Sequence, residues 1–455
     1  MSESYEEARR GADRSNTASS SESPFPIQRL PLELLILVFI HVITDFYRYG
    51  SHRGRPFNIA LVCQQWRDIV LQTPALWSIV DYTIEDLSTT EAVEDVIATL
   101  RLHIERASPL ALDVAIDLSD IPRTRRSDFW PTMSTLFRRA WAFDFSTAVG
   151  IHAALASQVL PVHAPFLEHL MLDDTNCIPE LVETKELILA LDAPVLQYIE
   201  CHGTPVRFPR ASYPVVRDLM LVTSTDSPLH LVDQIRKFPN LVDLDVICYE
   251  RDVDSPTTAA VAPMVLAHLE SLRIDGIDNF LTHDDLAQSF SCPSLRSAKI
   301  NGICDDYDTG LAVDPRAVTL FMQSALRTVH TLKLDLELSL ESSDADLAPA
   351  IVDGLASCAQ LEHLALHVHT GLGVITALAS PRAADGTWLC PRLHTISVLI
   401  FYRIVDDEIL RAEVLKLAIA RKETGLKIME VVAEREEENF DWWSFQERLD
   451  EILID

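Results

Sequence analysis

A six-residue pattern, apolar-x-x-apolar-x-apolar, recurs nine times along the chain, starting at Leu167, Leu196, Val216, Leu241, Leu269, Leu295, Val329, Leu361 and Leu393. The spacing between successive starts runs from 20 to 34 residues. Strict alternation over so short a span predicts a strand with one buried face. Its return at an irregular interval, most spacings falling in or just above the range of short strand-bearing repeats, predicts stacked units, each one strand plus a return segment. In six copies a proline stands two residues ahead of the first apolar position: Pro165, Pro194, Pro214, Pro239, Pro293 and Pro391. Proline fixes φ and donates no hydrogen bond, so it is expected at the opening of each strand. Segments 109–116 and 140–145 carry weaker alternation and read as degenerate strands, whereas 315–326, 346–356 and 406–420 have the spacing of amphipathic helices.

Alternation also assigns faces. Leu170, Leu172, Leu244 and Leu364 are expected to point into the core, and the residues between and after them to the opposite, concave side. That side is expected to show His169, Met171 and Asp173, then Tyr198, Glu200 and His202, then Asp218, Met220, Asp243 and Asp245. It continues with Arg273, Lys299 and Lys333, and ends with His363 and His367. The early repeats are acidic there and the middle ones are mixed with Arg and Lys, so a basic stretch of a target is expected at the former and an acidic stretch at the latter.

A different pattern precedes the repeats. From Leu30-Pro31 to Ile43 the chain is apolar nearly all round a helix, with Glu33 suited to the positive first turn and Pro31 to the first helical position. A helix of this kind needs cover on more than one side, which a module of about sixty residues does not readily supply alone; a partner surface is implied. After a polar loop, Leu61, Val62, Trp66 and Ile69 predict a second helix over 58–71, and Thr73-Pro74 precedes a third short element at Ala75-Leu76-Trp77.

The ordered pieces Leu30-Pro31-x-Glu33, Val38-Phe39, Leu61-Val62-Cys63-x-x-Trp66-Arg67-Asp68 and Thr73-Pro74-x-Leu76-Trp77 resemble the F-box motif. The variety resembled is that of large fungal families in which an F-box precedes irregular leucine-rich repeats. The resemblance implies an α/β repeat protein: a three-helix F-box module followed by a leucine-rich-repeat solenoid, with parallel strands on the concave face and helices or loops outside. It implies that Leu30 and Pro31 dock a Skp-type adaptor, and that Leu34, Leu35, Val38, Phe39, Leu61, Val62, Cys63 and Trp66 build the module or its apolar contact face. Phe39 and Trp66, as large aromatics at helical spacing, are expected in the core. The implied function is substrate recruitment to an SCF-type cullin ubiquitin ligase, with a protein target bound by the repeats. The alternative is an F-box interaction protein acting outside ubiquitylation. The expected organisation is a disordered tail over 1–24, the F-box module over 25–85, linker helices and degenerate first repeats over 86–160, and the array over 161–455. Its acidic, Trp-containing end, 434–455, is expected to cap the last repeat.

Composition narrows the partners. A formal net charge of −30 argues against nucleic acid and anionic membrane, which need Lys and Arg to displace counterions. Eight scattered cysteines with no C-x-x-C pair read as small core residues in a reducing cytoplasmic or nuclear setting. The N-terminal residues lack the apolar stretch of a signal peptide. No metal site is expected: His363 and His367, four apart on a strand, stand about 13 Å from each other. No cofactor is expected either, because no phosphate-binding glycine loop or nucleophile motif occurs, and the chain reads as a binding protein rather than an enzyme.

Overall fold

The structure is a computed structural model that describes residues 30–48, 56–83, 89–117, 129–146, 163–173, 187–203, 206–210, 212–223, 228–248, 263–276, 284–302, 314–336, 344–367, 371–382, 386–401 and 407–434. The tail expected over 1–24, and all but the first residue of the cap expected over 434–455, lie outside these residues. The chain divides into two compact units, Met1–Leu76 and Trp77–Asp455.

The first unit consists of helices α1 (Leu32–Arg48), α2 (Pro56–Ala60) and α3 (Gln64–Gln72), closed by a short 3-10 turn at Pro74–Leu76. Leu34 and Leu35 donate to the Pro31 carbonyl at 3.1 and 3.0 Å, so Pro31 caps α1 from just outside instead of forming its first residue as expected. Leu35, Phe39 and Ile43, successive at i, i+4 and i+8, are buried. The Phe39 ring lies 4.8 Å from that of Trp66, and Ile59, Ile69, Val70 and Leu76 complete the core.

The single helix expected over 58–71 is two helices. Cys63 is extended (φ −159°, ψ 169°), and the Leu61 and Val62 amides close a tight turn on Phe57, Asn58 and Ile59. Val62 and Cys63 are weak helix formers, so propensity does not oppose the break. With the break, Ile59 and Ile69–Val70 are both buried, while Leu61 and Val62 turn outward.

Among the described residues the second unit carries two short two-stranded parallel sheets, Leu187–Ile188 with Val206–Arg207 and Met264–Val265 with Phe290–Ser291, and a sheet of thirteen strands, numbered here in chain order. These are β1 (Ile79–Thr83), β2 (Leu112–Asp117), β3 (Ala140–Ser146), β4 (His169–Asp173), β5 (Tyr198–His202), β6 (Asp218–Thr223) and β7 (Asp243–Cys248). They continue with β8 (Ser271–Asp275), β9 (Ser297–Asn301), β10 (Thr331–Asp335), β11 (His363–His367), β12 (Thr395–Phe401) and β13 (Lys427–Glu434). Each strand pairs in parallel with the one before it, so spatial order equals chain order throughout. Parallel neighbours require a crossover, and among the described residues eight of the twelve connections contain a helix. The helices are α4 (Thr90–Arg106), α5 (Trp130–Arg139), α6 (Pro228–Ile235), α7 (Asp284–Ser289), α8 (Pro315–Ala325), α9 (Asp344–Leu355), α10 (Gly371–Leu378) and α11 (Asp407–Arg421). This is a solenoid-like α/β fold.

The sheet starts earlier than the sequence suggests. The segments read as degenerate strands are β2 and β3, and β1 falls inside the stretch assigned to the first module, so the sheet reaches back to Ile79. The first apolar residue of all nine signatures is buried, as are Leu170, Leu172, Leu244 and Leu364. The prolines ahead of them do not open the strands. In Ala164-Pro165-Phe166-Leu167 the Leu167 amide donates to the Ala164 carbonyl at 3.3 Å, and the same bond recurs from Leu196, Leu241, Leu295 and Leu393. In these five repeats the proline therefore takes the second position of a four-residue turn, which its fixed φ suits, and Pro214 and Val215 likewise stand in a turn. The strand begins four residues after the proline.

Candidate functional site

Two surfaces stand out, one in each unit. On the first unit Leu35 is only 1% exposed and Phe39 2%, so both build the core and neither is available to a partner. Leu34, Leu37 and Val38 lie on an adjoining face of α1 and are exposed. Leu30 and Pro31 are exposed just before it, and Leu61, at 74%, and Val62 are exposed at the break between α2 and α3. Cys63 and Trp66 are half-buried. The ten residues implied by the resemblance thus separate into a core pair, two half-buried residues and six exposed ones.

On the second unit the strands alternate between a covered face and an open one. Register places the open-face residues in three rows across the sheet. The first row runs Asp113, Ala142, His169, Tyr198, Asp218, Asp243, Ser271, Ser297, Thr331 and His363. The middle row runs Asp81, Ala115, Asp144, Met171, Glu200, Met220, Asp245, Arg273, Lys299 and Lys333. The third contains Asp117, Asp173, His202, Asp275, Asn301 and Asp335, and its position on β11 is His367. All ten target-facing candidates therefore lie at open-face strand positions: His169, Glu200, Asp218, Asp243, Asp245, Arg273, Lys299, Lys333, His363 and His367.

Charge along these rows is divided sharply. From β1 to β7 the open-face positions hold nine carboxylates and no Lys or Arg. Burial, and then Asp173, Glu200, Asp117 and Asp113, push the Asp144 carboxyl up to about 6. Asp113 is raised by burial and by Asp81, and Asp218 by burial and by Asp243 beside it. Asp245 is raised chiefly by burial, against the pull of Arg273, and its Oδ1 is buried without a hydrogen-bond partner. Glu200 differs because it accepts hydrogen bonds from His202 Nε2 at 2.5 Å and from the Tyr198 hydroxyl. Those bonds hold its carboxyl below the usual range and raise His202.

The basic side of the division is partly spent internally. Arg273 bridges Asp245 at 3.4 Å and Asp275 at 2.5 Å, and Asn301 donates to Asp275 at 2.5 Å. Arg273, expected to face an acidic stretch of a target, thus also has its charge matched within the sheet. His363 Nδ1 is engaged with Thr395 Oγ1 at 2.6 Å, and among the described residues no group of three or more His, Cys, Asp or Glu is placed to hold a metal ion. Five of the six described cysteines are buried, and burial pushes the thiols of Cys292 and Cys390 up to about 12 and that of Cys358 to about 11. Buried, protonated thiols of this kind are poor nucleophiles.

Sequence reasoning missed the acidic positions of β1–β3, namely Asp81, Asp113, Asp117 and Asp144. It also missed an apolar rim. Trp141 is 39% exposed and its ring stands 5.7 Å from His169, which is itself 5.7 Å from Tyr198. Phe166, Val195 and Val215 occupy the third turn position in three consecutive repeats and are exposed. The alternation in Leu112-Asp-Val-Ala-Ile-Asp117 was the available signal for the first group. The turn register, visible only once the strands are placed, was the signal for the second.

No protein-family model matches this chain, and no curated protein is significantly similar to it. Among the described residues no helix is long and apolar enough to cross a membrane.

Proposed function

We propose that the chain is a substrate-recruiting F-box-type subunit of a cullin ubiquitin ligase: the first unit docks a Skp-type adaptor, and the sheet unit holds a protein target. The observation that carries this reading is the division of apolar residues in the first unit. Leu35, Phe39 and Ile43 saturate its small core, yet Leu34, Leu37, Val38, Leu61 and Val62 remain on the surface. Exposing that many large aliphatic side chains in so small a unit costs free energy unless a partner covers them. The F-box resemblance, borne by Leu30-Pro31, Cys63-x-x-Trp66 and Thr73-Pro74-x-Leu76, supplies the class of that partner. A reading outside ubiquitylation shares the adaptor and differs only in what the adaptor carries.

Co-expression with a Skp-type adaptor tests the docking. The wild-type chain is expected to retain the adaptor through affinity purification, and Leu34→Asp with Val38→Asp is expected to release it without lowering the melting temperature, since both positions are already wet. Equal retention by the double variant refutes the assignment. Cullin in the wild-type eluate supports ligase function; adaptor without cullin supports the other role.

A further inference from the structure

We propose that the open face of β2–β7, together with the turns that lead into β4–β6, docks an extended protein segment alternating Lys or Arg with bulky apolar side chains. This rests on the reading of the sheet unit as the target-binding part and names the chemistry of the target. Two independent features coincide there. One is charge: Asp144, Asp218, Asp243 and Asp245 stand on strands that contribute no Lys or Arg to the face, and the first such residue, Arg273, is already matched by Asp245 and Asp275. The other is apolar exposure at one turn position, which is confined to the same repeats. Phe166, 55% exposed, is followed at the same turn position by Val195 and Val215, whereas later repeats place Asn240, Ser294, Gln360 and Arg392 there.

The geometry suits one occupant. Residues three apart in chain, such as Phe166 and His169 or Val215 and Asp218, put the rim directly beside the first acidic row. The Trp141, His169 and Tyr198 rings follow one another across the strands, perpendicular at the first step and tilted by 40° at the second, and offer ring faces and edges against which an aliphatic side chain packs or a guanidinium stacks. Five strand-to-strand steps of about 4.8 Å give a track of roughly 24 Å, the length of about seven extended residues, which a nine-residue peptide spans. A segment laid across it places cations over carboxylates and apolar side chains over the rim. Carboxylates held close together by the sheet repel one another, and a cationic segment relieves that repulsion. Phosphate-bearing polymers are repelled by the same field.

The test uses the purified full chain and three synthetic nine-residue peptides: alternating Arg-Leu, Arg-Ser and Glu-Leu. Fluorescence anisotropy at physiological salt is expected to show Arg-Leu bound at least tenfold tighter than Arg-Ser, and Glu-Leu not bound. Phe166→Ser with Val195→Ser and Val215→Ser is expected to abolish the preference for Arg-Leu over Arg-Ser. Asp218→Asn with Asp243→Asn, which keeps side-chain shape, is expected to weaken both cationic peptides by at least fivefold. Binding of Glu-Leu as tight as Arg-Leu overturns the proposal, as do unchanged affinities in both variants. Equal affinity for Arg-Leu and Arg-Ser overturns the role of the rim and leaves a purely electrostatic face. No adaptor is present in this assay, so loss of peptide binding with intact adaptor retention rejects this inference alone, and the reverse result rejects the docking module alone.

Discussion

Asp144 sits in the middle row of the open face, with Met171 beside it on β4 and carboxylates on the strands around it. Its folded pKa, about 6, lies above the ordinary aspartate value, so the folded chain keeps a proton that the unfolded chain releases between roughly pH 4 and 6. Stability therefore rises as pH falls through that window. His202, raised by Glu200, acts in the same direction: its contribution is present at low pH and is lost as pH rises through its folded value. The melting temperature is expected to increase from pH 7.5 to pH 5.5. Asp144→Asn is expected to raise it at pH 7.5 and to flatten the dependence. A melting temperature that falls over this range in the wild type refutes the environment assigned to Asp144. At this scale the sequence identified most of the acidic face, because alternation fixes which side a strand residue takes. It did not show that Arg273 is spent on Asp245, since that depends on the register of β7 against β8; Asp275, two residues on in the same strand, lies on the same face by alternation alone.

Elements in this fold are held by their neighbours in the stack. Asp314 caps α8 by accepting from the Arg316 amide at 2.9 Å, and Pro315 follows at the first helical position, a start that the sequence displays openly. The fit between helices is less legible. A Cβ on Gly354 of α9 would stand 2.8 Å from Met322 Cβ and closer still to its sulfur, so α8 and α9 touch at a point where only hydrogen fits. Gly354→Ala is expected to destabilise the unit by about 1–3 kcal/mol, the usual cost of overpacking, although alanine is the better helix former. Chemical denaturation measures this, and a stabilised variant would show that the helices separate without cost. Buried Arg421 ties α11 to the preceding repeat through the carbonyls of Leu378, Leu389 and Cys390, with Trp388 against its guanidinium at 4.6 Å. Nothing in the local pattern around Arg421 distinguishes it from a solvated helix-end arginine.

Across the whole molecule the formal charge is −30, and nine carboxylates stand together on the open face of β1–β7 with no Lys or Arg among them. Self-repulsion of that order lowers stability and is screened by salt. The melting temperature is expected to rise between about 20 and 300 mM sodium chloride, where the Debye length shortens from roughly 20 Å to below 8 Å; an unchanged or falling value would mean that the open-face carboxylates are compensated within the chain. Periodicity alone determined the class of fold, because a strand that buries every second residue and recurs every 20 to 34 residues has few ways to cover its apolar face other than by stacking parallel copies. The same local patterns located α1, α8, α9 and α11 within a few residues. Tertiary structure decided what local pattern leaves degenerate. The helix over 58–71 broke at Cys63 because packing both flanks of the break outweighs weak propensity, and Leu61 and Val62 became surface as a result. Five of the six recurrent prolines became turn residues because the bond from the signature's first apolar amide closes around them. The rim of Phe166, Val195 and Val215 exists only because parallel register sets side by side residues that the chain holds 20 to 29 positions apart.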